Sequence, residues 1–138
     1  MLRVNKKIEY GVLALLHLAK MPSRVASVRE IAAACHIPEK LLSKIMQSMK
    51  NKGFVDAVYG NHGGYRLDRE LAEITLLDIN NTLAGPVQVA ECLQPGNAAC
   101  PVNGSCEIAA PMNVLNQKII DLFQSTSLQT LALRKAAV

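Results

Sequence analysis

Residues 27–67 read SVREIAAACHIPEKLLSKIMQSMKNKGFVDAVYGNHGGYRL, and the fold follows from how this stretch divides. Ser27-Val28-Arg29-Glu30 has the S-x-x-E form of a capping box, in which side chains and backbone N–H groups at a helix start satisfy each other. It opens a short helix to about Cys35, with Val28, Ile31 and Ala32 facing inward. His36-Ile37-Pro38 turns the chain. Pro38 suits the first position of a new helix, where its missing N–H would be unpaired anyway. From Pro38 to about Lys52, Leu41, Leu42, Ile45, Met46 and Met49 recur at helical spacing. Lys40, Ser43, Lys44, Gln47, Lys50 and Asn51 lie on the opposite side, and Gly53 ends the helix. Phe54 to Tyr59 alternates like a strand, and Tyr65-Arg66-Leu67 reads as its return. Between them Gly60-Asn61-His62-Gly63-Gly64 is rich in residues that tolerate positive φ, so it is a turn. Two short helices with a polar, basic second face are common in proteins that never touch DNA. Followed by a hairpin, they make a winged helix-turn-helix.

The rest of the chain is read around that unit. Asn5 is placed to cap a first helix ending near Lys20, with Ile8, Val12, Leu15, Leu16 and Ala19 on one face. Glu9 borders that face; a solvated first-turn carboxylate favoured by the helix dipole is one reading, and a further role stays open. The apolar run from Gly11 to Ala19 is far below the roughly 20 residues of a membrane span, so a cytoplasmic protein is expected. A further helix is expected over Asp78–Leu83, ended by Gly85-Pro86. The last long helix starts near Ala110, and Met112, Leu115, Ile119 and Leu122 form an a/d seam. Such a seam needs a partner, and a symmetric homodimer is the better match beside a winged helix. Ser127 caps a final helix from Leu128 to about Lys135. The organisation is therefore 1–84 winged helix-turn-helix, 85–109 cysteine-rich loop, and 110–138 dimerisation helix with a short last helix. The fold class is mainly α with a small β-hairpin wing.

The 138 residues are half hydrophobic, have no Trp and carry a formal charge of +4. That balance permits a nucleic-acid partner without requiring one. No Ser/His/Asp arrangement, paired carboxylates or phosphate-cradling loop is evident, so no enzyme is expected.

Residues 92–106, CLQPGNAACPVNGSC, hold Cys92, Cys100 and Cys106 in C-x7-C-x5-C spacing. Pro95, Gly96, Pro101 and Gly104 break regular structure there, and little of the loop is apolar. Long connections without secondary structure are functional or disordered. Thiolates in a reducing compartment select iron–sulfur clusters or zinc rather than disulfides. By spacing alone an iron–sulfur cluster leads, and zinc, redox thiols and no metal stay open. A cluster tolerates one non-cysteine ligand. Cys35 reads as a small buried hydrophobe.

The segments YGVLALLHLA, VREIAAACHIPEKLLSKIMQSMKNKGFV and GNHGGYRL, with the three-cysteine loop, resemble the Rrf-two family of bacterial regulators over nearly the whole chain. The resemblance implies a homodimeric winged-helix transcription factor with crossing C-terminal helices and an iron–sulfur cluster on the cysteine loop. IscR-like members carry a histidine ligand three residues after the third cysteine, where this chain has Ala109. The chain is closer to the NsrR and RirA types. NsrR-like members have an acidic residue just before the aromatic residue of the first helix, which here is Glu9. The implied site is Cys92, Cys100 and Cys106 with Glu9 of the other subunit, holding [4Fe-4S] in preference to [2Fe-2S]. The implied function is a repressor whose binding to double-stranded operator DNA is set by nitric oxide, iron or redox state. Lys40, Ser43, Lys44 and Gln47 are expected to read the major groove or its phosphates. Tyr59, Asn61 and His62 would sit at the wing, with Arg66 on phosphate. A zinc- or thiol-switched regulator on the same fold is the alternative, and a DNA-binding scaffold with vestigial cysteines is a further one.

Overall fold

Nine helices and strands form among the described residues of the computed structural model, which are 3–93, 100–102 and 105–133. Helix α1 (Lys6–Lys20) starts where the Asn5 side chain accepts the Lys7 N–H at 2.8 Å. Strand β1 (Val25–Ala26) leads into α2 (Val28–Cys35), and α3 (Glu39–Asn51) follows. Strands β2 (Val55–Val58) and β3 (Gly64–Leu67) form the hairpin. A 3-10 turn at Leu71–Glu73 precedes α4 (Leu76–Leu83); another at Glu91–Leu93 precedes α5 (Ala109–Gln124) and α6 (Leu128–Leu133).

The capping box at α2 forms on both sides. Ser27 Oγ accepts the Glu30 N–H at 3.1 Å, and Glu30 Oε2 accepts the Ser27 N–H at 2.7 Å. A second box opens α4, with Thr75 and Asp78 in the same roles. An N-cap hydroxyl is worth about 1 kcal/mol, so Ser27→Ala is expected to lower the urea midpoint accordingly with an unchanged m-value. The α2–α3 turn uses His36 in the left-handed conformation (φ 55, ψ 45). There the Ile37 N–H closes back on the Ala32 carbonyl at 3.0 Å. This orients α3 across α2.

The core lies where α1, α2, α3 and α4 meet. Leu15, Leu18, Ile31, Leu42, Met46, Met49 and Ile79 are fully buried. The inner face of α3 matches the sequence reading, with Leu41 only half-buried at its rim. The inner face of α1 is turned relative to expectation. It is built by Ile8, Gly11, Ala14, Leu15 and Leu18, while Val12, Leu16 and Ala19 are only half-buried. The reason is that α1 sits in the groove between α3 and α4 rather than against one partner. Gly11 lies at this contact, where a Cβ would meet the tip of the Leu83 side chain, Cδ1, at 2.6 Å and Met49 Sδ at 3.6 Å.

Two further departures are local. Pro38 is the residue before α3 rather than its first turn, with ψ at 125 in the extended region. A third strand, β1, pairs with β3, so the sheet order is β1-β3-β2 and antiparallel throughout. Two residues are too few to show alternation, so no periodicity announced β1. Its pairing presses the wing onto the start of α2. A Cβ on Gly64 would lie 2.3 Å from the Ala26 carbonyl oxygen.

The C-terminal segment is fastened to the body at its far end. The Leu76 N–H donates to the Thr126 carbonyl at 2.8 Å, and the Leu128 N–H to the Ile74 carbonyl at 2.9 Å. Leu128 is fully buried. The end of the last helix expected near Lys135 lies outside the described residues. Among the described residues no helix is long and apolar enough to cross a membrane.

Candidate nucleic-acid interface and cysteine centre

Helix α3 turns a polar stripe to solvent. Lys40, Ser43, Lys44, Gln47 and Asn51 are all exposed and recur at three- and four-residue steps. The stripe is about 16 Å long at 1.5 Å per residue, a length that a major groove accepts. Its members differ in their freedom. Lys40 and Lys44 make no hydrogen bond or ion pair among the described residues. Ser43 Oγ donates to the Glu39 carbonyl at 3.0 Å and so turns back on its own helix. Gln47 Nε2 donates to Asn51 Oδ1 at 3.4 Å. Arg29 stands beside the start of α3, with its Nε 4.0 Å from Glu39 Oε2 and its side chain 87% exposed. It was not singled out in the sequence, although its place in the first turn of α2 was a usable signal.

The wing is exposed at its tip. The Gly63 N–H closes on the Gly60 carbonyl at 3.1 Å, and Gly60 has φ +119. Asn61 and His62 are exposed, and Tyr59 presents its whole ring to solvent. Arg66 lies opposite Asp56 across the hairpin, Nη2 to Oδ2 at 3.6 Å. The guanidinium is thus steered along the wing, with donors left over for phosphate.

The cysteines occupy the other side of the sequence. Cys92 is exposed in the 3-10 turn, and Cys100 and Cys106 are half-buried. The Cys106 carbonyl accepts the Ala109 N–H at 3.4 Å, so this cysteine sits at the entry to α5. All four cysteines of the chain are free thiols. Among the described residues no group of three or more His, Cys, Asp or Glu side chains converges on one point. Pro95, Gly96 and Gly104, on which part of the loop reading rests, lie outside the described residues. Glu9 is on the first turn of α1, where its Oε2 accepts from Lys6 Nζ at 2.8 Å. That hydrogen bond, and then the carboxylate's charge, raise the Lys6 pKa. The donor set fits a thiolate-held cluster in kind, with three soft ligands and one hard carboxylate. Within one chain it is not assembled. Cys35 is a different case: its Sγ lies 4.0 Å from the Leu13 carbonyl and burial pushes its pKa up. It stays a protonated packing group.

None of the α5 side chains is fully buried. Ile119 and Phe123 face a hollow of about 240 Å³ shared with Ile8 and Val89. On the outer side Leu115 is 43% exposed and Leu122 61%. Ile108, also 61% exposed, extends the same row at seven-residue intervals. Of the expected seam, Met112 and Ile119 are thus partly covered by their own chain, and Leu115 and Leu122 stand out. Ile108 was missed because it precedes the helix, at whose N-cap it stands.

The whole-chain pattern has clear relatives. The Rrf2 profile, described as an iron-dependent transcriptional regulator, matches residues 4–134. Protein aau3 of Rhizobium meliloti (strain 1021) is 31% identical over 130 residues, covering 94% of this chain and 84% of that protein. The HTH-type transcriptional regulator NsrR of Shouchella clausii is 21% identical over 135 residues, covering 97% and 91%. The structure of CymR, the global cysteine regulator of B. subtilis, superposes with a TM-score of 0.75 at 26% identity, covering 98% of this chain and 99% of that one. With the helix pair, the wing and the trailing helix in the same order along nearly the full length, the chain belongs to the Rrf2 family of transcriptional regulators.

Proposed function

We propose that this regulator is a homodimeric, cytoplasmic repressor without enzymatic activity, whose operator binding is controlled by an iron–sulfur cluster. The observation that carries the reading is one chain with two unsatisfied surfaces. One is the solvent-facing stripe of α3 with free Lys40 and Lys44; the other is a set of three free thiols leading into α5. Residues 1–84 bind DNA, 85–109 hold the cluster, and 110–138 pair the subunits. Cys92, Cys100 and Cys106 would supply thiolates, and Glu9 of the other subunit a carboxylate, to a [4Fe-4S] centre. When bound, that centre supplies a site reactive toward nitric oxide, oxygen or iron loss.

The chain's own residues do the rest. Glu9 is held by Lys6 on the surface of α1, free of the core. Reaching a partner's loop therefore costs it only an exposed, solvent-screened ion pair. Carboxylate is a harder ligand than thiolate, so Glu9 would be the most weakly held of the four ligands. Glu9 shares α1 with Leu15 and Leu18, which pack in the core that supports α3. Engaging or freeing it biases the two recognition helices by a population shift of a few kcal/mol.

A zinc- or thiol-switched regulator is the second reading, favoured by the likeness over nearly the whole chain to CymR, a global cysteine regulator. Anaerobic purification with iron, sulfide and zinc counts separates the two. A brown protein with iron and acid-labile sulfide supports the cluster, and a colourless protein carrying zinc or no metal supports the second reading. Changing Cys92, Cys100 and Cys106 together to Ser is expected to remove the colour and the signal dependence of DNA binding. A triple variant that still responds normally would sink both readings.

A further inference from the structure

The polar stripe of α3 contains one internal bond, and that bond has a chemical direction. Gln47 Nε2 gives one N–H to Asn51 Oδ1 at 3.4 Å, and both side chains are exposed. A glutamine carboxamide has two N–H donors and one oxygen acceptor. With one N–H committed, the group presents one donor and one acceptor side by side. That pair complements the major-groove edge of adenine, where N7 accepts and the N6 amino group donates. Guanine offers two acceptors, N7 and O6, and is a poor match for a fixed donor–acceptor pair. Without Asn51 both Nε2 N–H groups are uncommitted and can be offered to the two acceptors of guanine, so the preference for adenine weakens.

The neighbouring residues cannot substitute for this reading. Ser43 has spent its hydroxyl proton on the Glu39 carbonyl. Lys40 and Lys44 are donors only, which suits guanine or phosphate. Gln47 and Asn51 lie one turn apart on the same face, so the two side chains are within reach of each other wherever the helix is intact. We infer that Gln47 selects an adenine in each operator half-site and that Asn51 is the positioning residue that fixes the orientation of its carboxamide. The inference rests on α3 being the recognition helix, as proposed above.

The test is sequencing of duplexes selected from a random pool by the full-length protein, wild type and variants. Wild type is expected to show an adenine whose preference disappears in Gln47→Ala. In Asn51→Ala the same position is expected to become a mixture of adenine and guanine. Replacing that adenine by 7-deazaadenine removes the N7 acceptor and is expected to weaken wild-type binding about tenfold, and Gln47→Ala not at all. Because both side chains are uncharged, the salt dependence of binding stays that of wild type. If wild type selects no sequence, the recognition-helix reading fails and the inference with it. If wild type selects a site but Gln47→Ala keeps every preference, or 7-deazaadenine is tolerated, the adenine assignment is overturned. An unchanged adenine in Asn51→Ala overturns the positioning role alone. Circular dichroism of each variant checks that α3 is retained.

Discussion

Gly64→Ala is expected to destabilise the protein by about 3 kcal/mol, as an overpacked contact adds to a strained φ. The Cβ would fall 2.3 Å from the Ala26 carbonyl oxygen and 2.6 Å from the Ser27 nitrogen. Both are backbone atoms, so no side chain can move aside. Gly64 also has φ +154, which L side chains rarely adopt. Relief requires β3 to leave β1, and the Ala26–Tyr65 and Val25–Arg66 pairs are the ones lost. The capping box at Ser27 is adjacent, so α2 loosens with them. The expected observations are a fall in the unfolding midpoint and faster amide exchange in β1 and β3 than in β2. A stability within 0.5 kcal/mol of wild type, the range of neutral surface changes, would show that the wing does not bear on α2 as described.

Replacing Lys40 and Lys44 together by Ala is expected to weaken operator binding about 100-fold at moderate salt. The two ammonium groups lie four residues apart on the exposed stripe and have no intramolecular partner among the described residues. Each is therefore available to phosphate or guanine without first breaking an ion pair. Removing both should also flatten the dependence of log K on log salt by about two contacts' worth, or roughly 1.8. Neither side chain is in the core, so thermal stability should barely change. Fluorescence anisotropy at several salt concentrations measures both quantities. An unchanged salt slope would move the interface away from this face of α3.

Much of this arrangement was legible because it is local. Capping at Asn5 and Ser27, the apolar face of α3 and the Gly-rich turn each depend on residues within a few positions of one another. The inner face of α1 was misread because two partners, α3 and α4, determine it: Gly11 faces Met49, Ile79 and Leu83, all far along the chain. Strand β1 was invisible for the same reason, since two residues become a strand only when Tyr65 and Arg66 arrive beside them. The candidate site divides likewise. The α3 stripe is written in one helical period. Glu9 and the cysteines are separated by most of the chain, and among the described residues they do not meet. Only the family resemblance linked Glu9 to the loop. Asn51 was seen as one of several polar residues on the outer face, but its bond to Gln47 needed side-chain geometry.

The fastening of Thr126 and Leu128 to the strand-like segment at Ile74–Leu76 gives α5 the mechanics of a lever. Its fulcrum is at the C-terminal end, where Leu128 is sunk in the core. Its other arm, tied midway where the Val89 N–H donates to Asn116 Oδ1 at 3.0 Å, ends next to Cys106. A 16-residue helix is about 24 Å long, so a rotation of about 5° at the fulcrum carries the cysteine end through about 2 Å. The same rotation barely disturbs the core at the pivot. A displacement of this helix would thus be largest beside Cys106 and smallest at Leu128, where the core is held.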